Sequence, residues 1–113
     1  MLEVLFGNRV AERCLLYIAN YGEGYINGIA KTFDISTSQV AKQLERLEAG
    51  GILVNKLSGN TKLFYINPRL ACKDELASLL EKGLSVLTEK ETKKYFRQNG
   101  LVFMEIYHTG MAC

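Results

Sequence analysis

The apolar positions of this chain follow two periods, helical towards both ends and extended in between. Across "RVAERCLLYIANY" (9–21), Val10, Ala11, Cys14, Leu15, Ile18 and Ala19 recur at helical spacings, with Asn8 placed to cap the start and Gly22 to stop the end. Apolar side chains occupy most of its circumference, which predicts a central helix. In "GYINGIAKTF" (24–33) the Asn27-Gly28 pair signals a hairpin when strands flank it, yet Ile26, Ile29, Ala30 and Phe33 repeat at i, i+3, i+4 and i+7. The spacing predicts a short second helix, reached through a brief extended stretch at Tyr25 and Ile26, with Gly28 costing about 1 kcal/mol.

A third helix is predicted to start at Ser36, because Ser36 and Gln39 form an S-x-x-Q capping box. Val40, Leu44 and Leu47 form its apolar stripe, and Gly50-Gly51 ends it. The period then changes. "ILVNKL" and "KLFYIN" are rich in strand formers and flank the polar "SGNT", which predicts a two-stranded hairpin. After Pro68 the period is helical again: Leu76, Leu79, Leu80, Leu84 and Leu87 mark an amphipathic helix. Thr88 and Glu91 make a second capping box ahead of the basic "EKETKKYFRQ", and the remainder, "LVFMEIYHTGMAC", is apolar for a chain end. Such a stretch packs on its own core, pairs with another chain or aggregates.

Composition narrows the classes. At 113 residues and 48% hydrophobic content the chain supports one core. No stretch approaches the roughly 20 apolar residues of a membrane span, and "MLEVLFGNR" lacks the form of a secretory signal, so a cytoplasmic location is expected. Cys14, Cys72 and Cys113 are too widely spaced for a disulfide framework or a zinc pattern, and Cys14 and Cys72 read as small apolar fillers. His108 and Cys113 offer at most a two-residue metal or nucleophile site. No glycine-rich phosphate loop, acid pair or nucleophile triad is visible, so neither an enzyme nor a cofactor is expected. The formal charge is +2, with seven basic and six acidic residues in each of the stretches 1–67 and 68–113. A monomer so nearly neutral would hold nucleic acid weakly by charge alone.

The order helix, helix, tight turn, helix, hairpin is the layout of a winged helix-turn-helix: mainly α with a small β-hairpin (α+β), a three-helix core plus wing and C-terminal helices. The turn "DIS" has Asp34 where many such motifs use glycine, and aspartate tolerates a left-handed backbone. Ala30 leaves room for the third helix to cross closely. At 100° per residue, Val40, Leu44 and Leu47 fall together while Ser38, Gln39, Lys42, Glu45, Arg46 and Ala49 face away. Small hydroxyls at Thr37 and Ser38 would let the backbone approach base edges, and Gln39 could pair bidentately with adenine. Arg46 suits guanine or phosphate, Lys42 phosphate. The candidate DNA-contacting set is Thr37, Ser38, Gln39, Lys42, Gln43 and Arg46 on this helix, with Lys56, Asn60, Thr61 and Lys62 on the hairpin, whose tip is small enough for a minor groove or the backbone. The plainer alternative makes them solvated positions of an amphipathic helix, and Glu45 among them would repel phosphate.

"LFG" before the first helix, "QLERLEAGGIL" leading from the third helix to the hairpin, and "FYINPR" closing it resemble the ArsR-like branch of winged helix-turn-helix transcriptional regulators, over most of the first 69 residues. The resemblance implies a homodimer built from the first and last helices, each protomer placing its third helix in half of a near-palindromic operator. Three features depart from it. "YINGIAKTF" lacks the cysteines of the metal-sensing branch, so metal sensing is not carried over; Asn60 stands where relatives favour arginine; and the apolar tail replaces a basic one. On this reading residues 1–67 form the DNA-binding core, 68–100 the dimerising helices and 101–113 a tail without an assigned role. Two functions follow: a homodimeric, sequence-specific regulator of transcription on double-stranded DNA, or a winged protein-interaction module that does not bind DNA. A thiol switch between Cys14 and Cys72 would be an addition to the first.

Overall fold

The computed structural model describes residues 2–87 and 91. In chain order the elements are α1 (Glu3–Phe6), α2 (Arg9–Tyr21), α3 (Ile26–Phe33), α4 (Thr37–Ala49), β1 (Leu53–Ser58), β2 (Thr61–Ile66) and α5 (Lys73–Ser85). The architecture is a small, mainly helical α+β domain with one two-stranded antiparallel sheet. The second capping box, apart from Glu91, and the basic helix and apolar tail expected after it lie outside the described residues.

α2 is the hub. The Asn8 side chain accepts from the backbone N–H of Ala11 at 2.8 Å, and Gly22, at φ 88°, sends its own N–H back to the Ile18 carbonyl at 2.7 Å. Ala11, Cys14, Ile18 and Ala19 are wholly buried, and α1, α3, α4, α5 and β2 all pack against this helix. An apolar girdle stabilises a helix only if neighbours surround it, so the composition of α2 accounts for its central place.

α3 begins after an extended Tyr25 and buries Ile29, Ala30 and Phe33. Gly28 has a packing role: a Cβ there would lie 2.8 Å from the Tyr25 ring, so the glycine gives that aromatic its seat. Asp34 closes the helix in the left-handed region at φ 56°, and the N–H of Ile35 reaches the Ala30 carbonyl at 3.0 Å, which turns the chain directly into α4. The hydroxyl of Ser36 accepts from the Gln39 N–H at 3.3 Å. The return half of the capping box is absent among the described residues, and Gln39 is one of the residues lining a surface cleft. α4 buries Val40, Leu44 and Leu47, and its exit is set by Gly51 at φ 82° with the Ile52 N–H on the Leu47 carbonyl.

β1 and β2 pair from Leu53 with Ile66 to Ser58 with Thr61, leaving Gly59-Asn60 as a two-residue tip. Leu53, Phe64 and Ile66 anchor the base of the hairpin in the core, and the tip is exposed. One feature of the 24–33 stretch escapes its helical period. Gly24 forms a bridge with Phe64, exchanging N–H to carbonyl bonds of 2.9 and 2.7 Å, so the loop before α3 extends the sheet by one residue pair. Asn67 fastens the far end, accepting from the Arg69 N–H and donating from its side chain to the Gly51 carbonyl. α5 then lies on α2 through Ala77, Leu80 and Gly83.

The periodicity gives no sign of α1. Leu2 is buried beside Leu16 and Gly83, its backbone N–H donating to the Glu12 carboxylate at 2.8 Å, while Val4 and Leu5 point outward, 88% and 65% exposed. Within the described residues no helix is long and apolar enough to cross a membrane.

Candidate nucleic-acid interface

The outward side of α4 divides into a free half and a fastened half. Thr37, Ser38, Gln39 and Lys42 are exposed, and Lys42 forms no ion pair or hydrogen bond among the described residues. Ser36 and Ser38 hydroxyls lie 3.3 Å apart at the start of this face. One turn further on the character changes. The Gln43 side-chain oxygen accepts from Asn8 Nδ2 and from Arg46 Nε, both at 3.0 Å, and Arg46 Nη2 donates to the Phe6 carbonyl at 2.9 Å. Arg46 thus satisfies a carbonyl at the end of α1, where a cation is favoured, and Gln43 joins α4 to the residue that caps α2. These two sequence-predicted contacts are engaged within the chain, although Arg46 remains largely solvent-exposed.

The hairpin divides in the same way. Lys56 pairs with Glu23 at 3.4 Å and lies 5.5 Å over the Tyr65 ring. Asn60, Thr61 and Lys62 are exposed, and with Tyr25, Ile26 and Asn27 they line a shallow cleft of about 360 Å³ between the hairpin tip and the start of α3. Glu45 is exposed on α4 and keeps a negative charge on the same helix.

Sequence reasoning passed over Arg9 and Arg13. Both line a second cleft, of about 340 Å³, together with Val10, Phe33, Asp34, Ile35, Ser36 and Gln39. The Arg13 guanidinium sits 5.1 Å over the Phe33 ring, while Arg9 makes no ion pair or hydrogen bond among the described residues. The available signal was their i, i+4 spacing, which puts both on one side of α2.

The thiols are unlike each other. Cys14 is wholly buried, and that burial pushes its pKa from 9.0 up to about 12, whereas Cys72 is exposed next to the first turn of α5. Both are free. Because a thiolate is the reactive form, Cys14 is inert in the folded state at neutral pH, and the environment of the pair does not suit a thiol switch. Tyr17 is also held protonated above its usual range, by burial first and then by neighbouring Tyr21 and Tyr25, with a Thr32 hydrogen bond acting the other way. Among the described residues no three His, Cys, Asp or Glu side chains gather as a metal site; His108 and Cys113 lie outside them. Comparison with protein-family models, with curated proteins and with solved structures finds no match for this chain.

Proposed function

We propose that the protein is a sequence-specific DNA-binding regulator of transcription, of winged helix-turn-helix type and similar in plan to ArsR-like regulators, acting as a homodimer. The observation that carries this reading is the two-sidedness of α4. Val40 and Leu44 are 0% exposed and Leu47 7%, while Thr37, Ser38, Gln39 and Lys42 on the first turn and a half stand clear. A helix anchored this firmly presents its free side rigidly, with small side chains where a duplex groove needs close approach. The exposed Asn60, Thr61 and Lys62 serve as the wing, touching backbone or minor groove.

Two protomers supply the cations that one lacks. The apolar face of α2 is buried within its own chain, so the dimer surface moves outward to Val4 and Leu5 of α1 and Val86 after α5, which are exposed apolar side chains. α1 and the end of α5 adjoin, because Leu2, Leu16, Gly83, Val86 and Leu87 line one small cleft. Selection of bound duplexes from a random pool tests the reading, with recovery of a near-palindrome expected. A second test is the salt dependence of duplex affinity. Several phosphate contacts predict a slope of log K against log salt of about −0.9 per contact, and a flat slope removes the proposal.

Arg46, Lys56 and Glu45 favour a second reading, a protein-interaction module. Two of the expected phosphate contacts are occupied inside the chain, and the third residue is acidic. The variant Lys42→Ala/Lys62→Ala separates the two. Under the first reading it flattens the salt slope by about 2 per protomer, because each lysine neutralises one phosphate; under the second, partner binding survives it.

A further inference from the structure

We infer that the cleft formed by Arg9, Arg13 and Phe33 is a seat for a phosphate of the DNA backbone, flanking the exposed face of α4 and fixing how that helix is set in the groove. The inference rests on the duplex-binding reading and adds to it two residues on α2, outside the helix-turn-helix itself.

Its support is geometric. The first half of α2 runs beside α4: Asn8 reaches Gln43 across the gap, and further along Arg9 and Arg13 share a cleft with Ser36 and Gln39. Gln39 therefore belongs both to the exposed face of α4 and to the cleft, so a group lodged between the arginines lies next to whatever the first turn of α4 contacts. The two cations differ usefully. Arg13 is steadied over the Phe33 ring at 5.1 Å, which fixes its guanidinium at the wall of the cleft. Arg9 is exposed and unpaired among the described residues, and its guanidinium can offer two parallel N–H donors to phosphate oxygens. Val10 and Ile35 give the cleft an apolar wall suited to a sugar face.

Asp34 lines the same cleft and opposes an anion. Its backbone conformation is the left-handed one that only Gly, Asn and Asp adopt readily, so its presence has a structural cause as well as an electrostatic cost. That cost supplies a test of opposite sign. Asp34→Asn keeps the turn and removes the charge.

The experiment measures affinity of the full chain and of two variants for a mixed-sequence duplex over a series of salt concentrations. Arg9→Ala is expected to flatten the salt slope by about 0.9 per protomer, so that the wild-type advantage shrinks about threefold between 50 and 200 mM salt, equally for all sequences. Asp34→Asn is expected to bind roughly two- to threefold more tightly, the size of a like-charge contact relieved near the surface. An unchanged slope in Arg9→Ala, with wild type binding the duplex normally, overturns the seat and leaves the DNA reading standing. A flattened slope in Arg9→Ala without a gain in Asp34→Asn also overturns it, since the arginine would then act from outside the cleft. Absence of salt-dependent duplex binding by the wild type removes the DNA reading and this inference together.

Discussion

Arg46 shows how one side chain divides between a proposed interface and the fold. Its charge and its place on α4 suit a groove contact, but its guanidinium bonds are made to Gln43 and to the Phe6 carbonyl. The Gln43 bond follows from i, i+3 spacing on one helix, but the Phe6 partner was not legible in the sequence, because that contact spans 40 positions and α1 has no periodic signature. Arg46→Ala is expected to lower unfolding free energy by about 1 kcal/mol, the usual worth of such bonds at an exposed site, in urea titrations. Arg46→Lys should lose most of the same amount, since an ammonium cannot reproduce the fork that spans both acceptors. Cys14 behaves oppositely, its role following from burial alone. With its pKa raised from 9.0 to about 12, the folded protein holds the thiol proton after the unfolded chain has released it. Its contribution to stability is therefore complete below pH 9 and declines between pH 9 and 12, by up to about 1.4 kcal/mol per pH unit. In alkaline urea titrations the gap between wild type and Cys14→Ala should narrow across that window. At neutral pH a thiol alkylating reagent should label Cys72 and leave Cys14 untouched until the chain unfolds, as mass spectrometry would read.

At the scale of elements, caps and stripes decided the boundaries. Asn8, Gly22, Ser36 and Asp34 act within a few residues of themselves, so α2, α3 and α4 begin and end near where their residues indicate. Loss of the Ser36 hydroxyl in Ser36→Ala should cost about 0.5–1 kcal/mol, the low end for a cap, because the bond is long and exposed. Leu44→Ala, at a wholly buried site in α4, should cost about 2–5 kcal/mol in the same denaturation assay. The joining of α1 to α5 is a different matter. A Cβ on Gly83 would stand 2.7 Å from Leu2 Cδ1 and 3.2 Å from Leu16 Cδ2, so this helical glycine exists to admit Leu2. Gly83→Ala is expected to destabilise the wild type, yet in a Leu2→Ala background the helical gain of up to about 1 kcal/mol should emerge. A double-mutant cycle by chemical denaturation measures the difference, and additive costs would rule out the Leu2 contact as the reason for the glycine.

For the whole molecule, the apolar side chains left over after folding become the informative ones. Val4 and Leu5 on α1 and Val86 just after α5 are exposed on adjoining elements, and the proposed dimer would cover them. Sedimentation should then give a dimer mass, and the unfolding midpoint should rise with protein concentration, as coupled folding and association require. Val4→Asp/Leu5→Asp should give a folded monomer with much weaker duplex binding. A concentration-independent midpoint would place those side chains outside any self-association. The order of α2 to α5, the hairpin about "SGNT" and the buried stripe of α4 were determined by the sequence alone, because periodicity, capping and turn chemistry act over a few neighbouring residues. Only the tertiary structure decided that Arg46 and Gln43 hold α4 to the chain start, that Lys56 pairs with Glu23, and that Arg9 and Arg13 meet Gln39 in one cleft. Those arrangements join residues from different elements, and the packing of helices about α2 sets their distances, which no local pattern encodes.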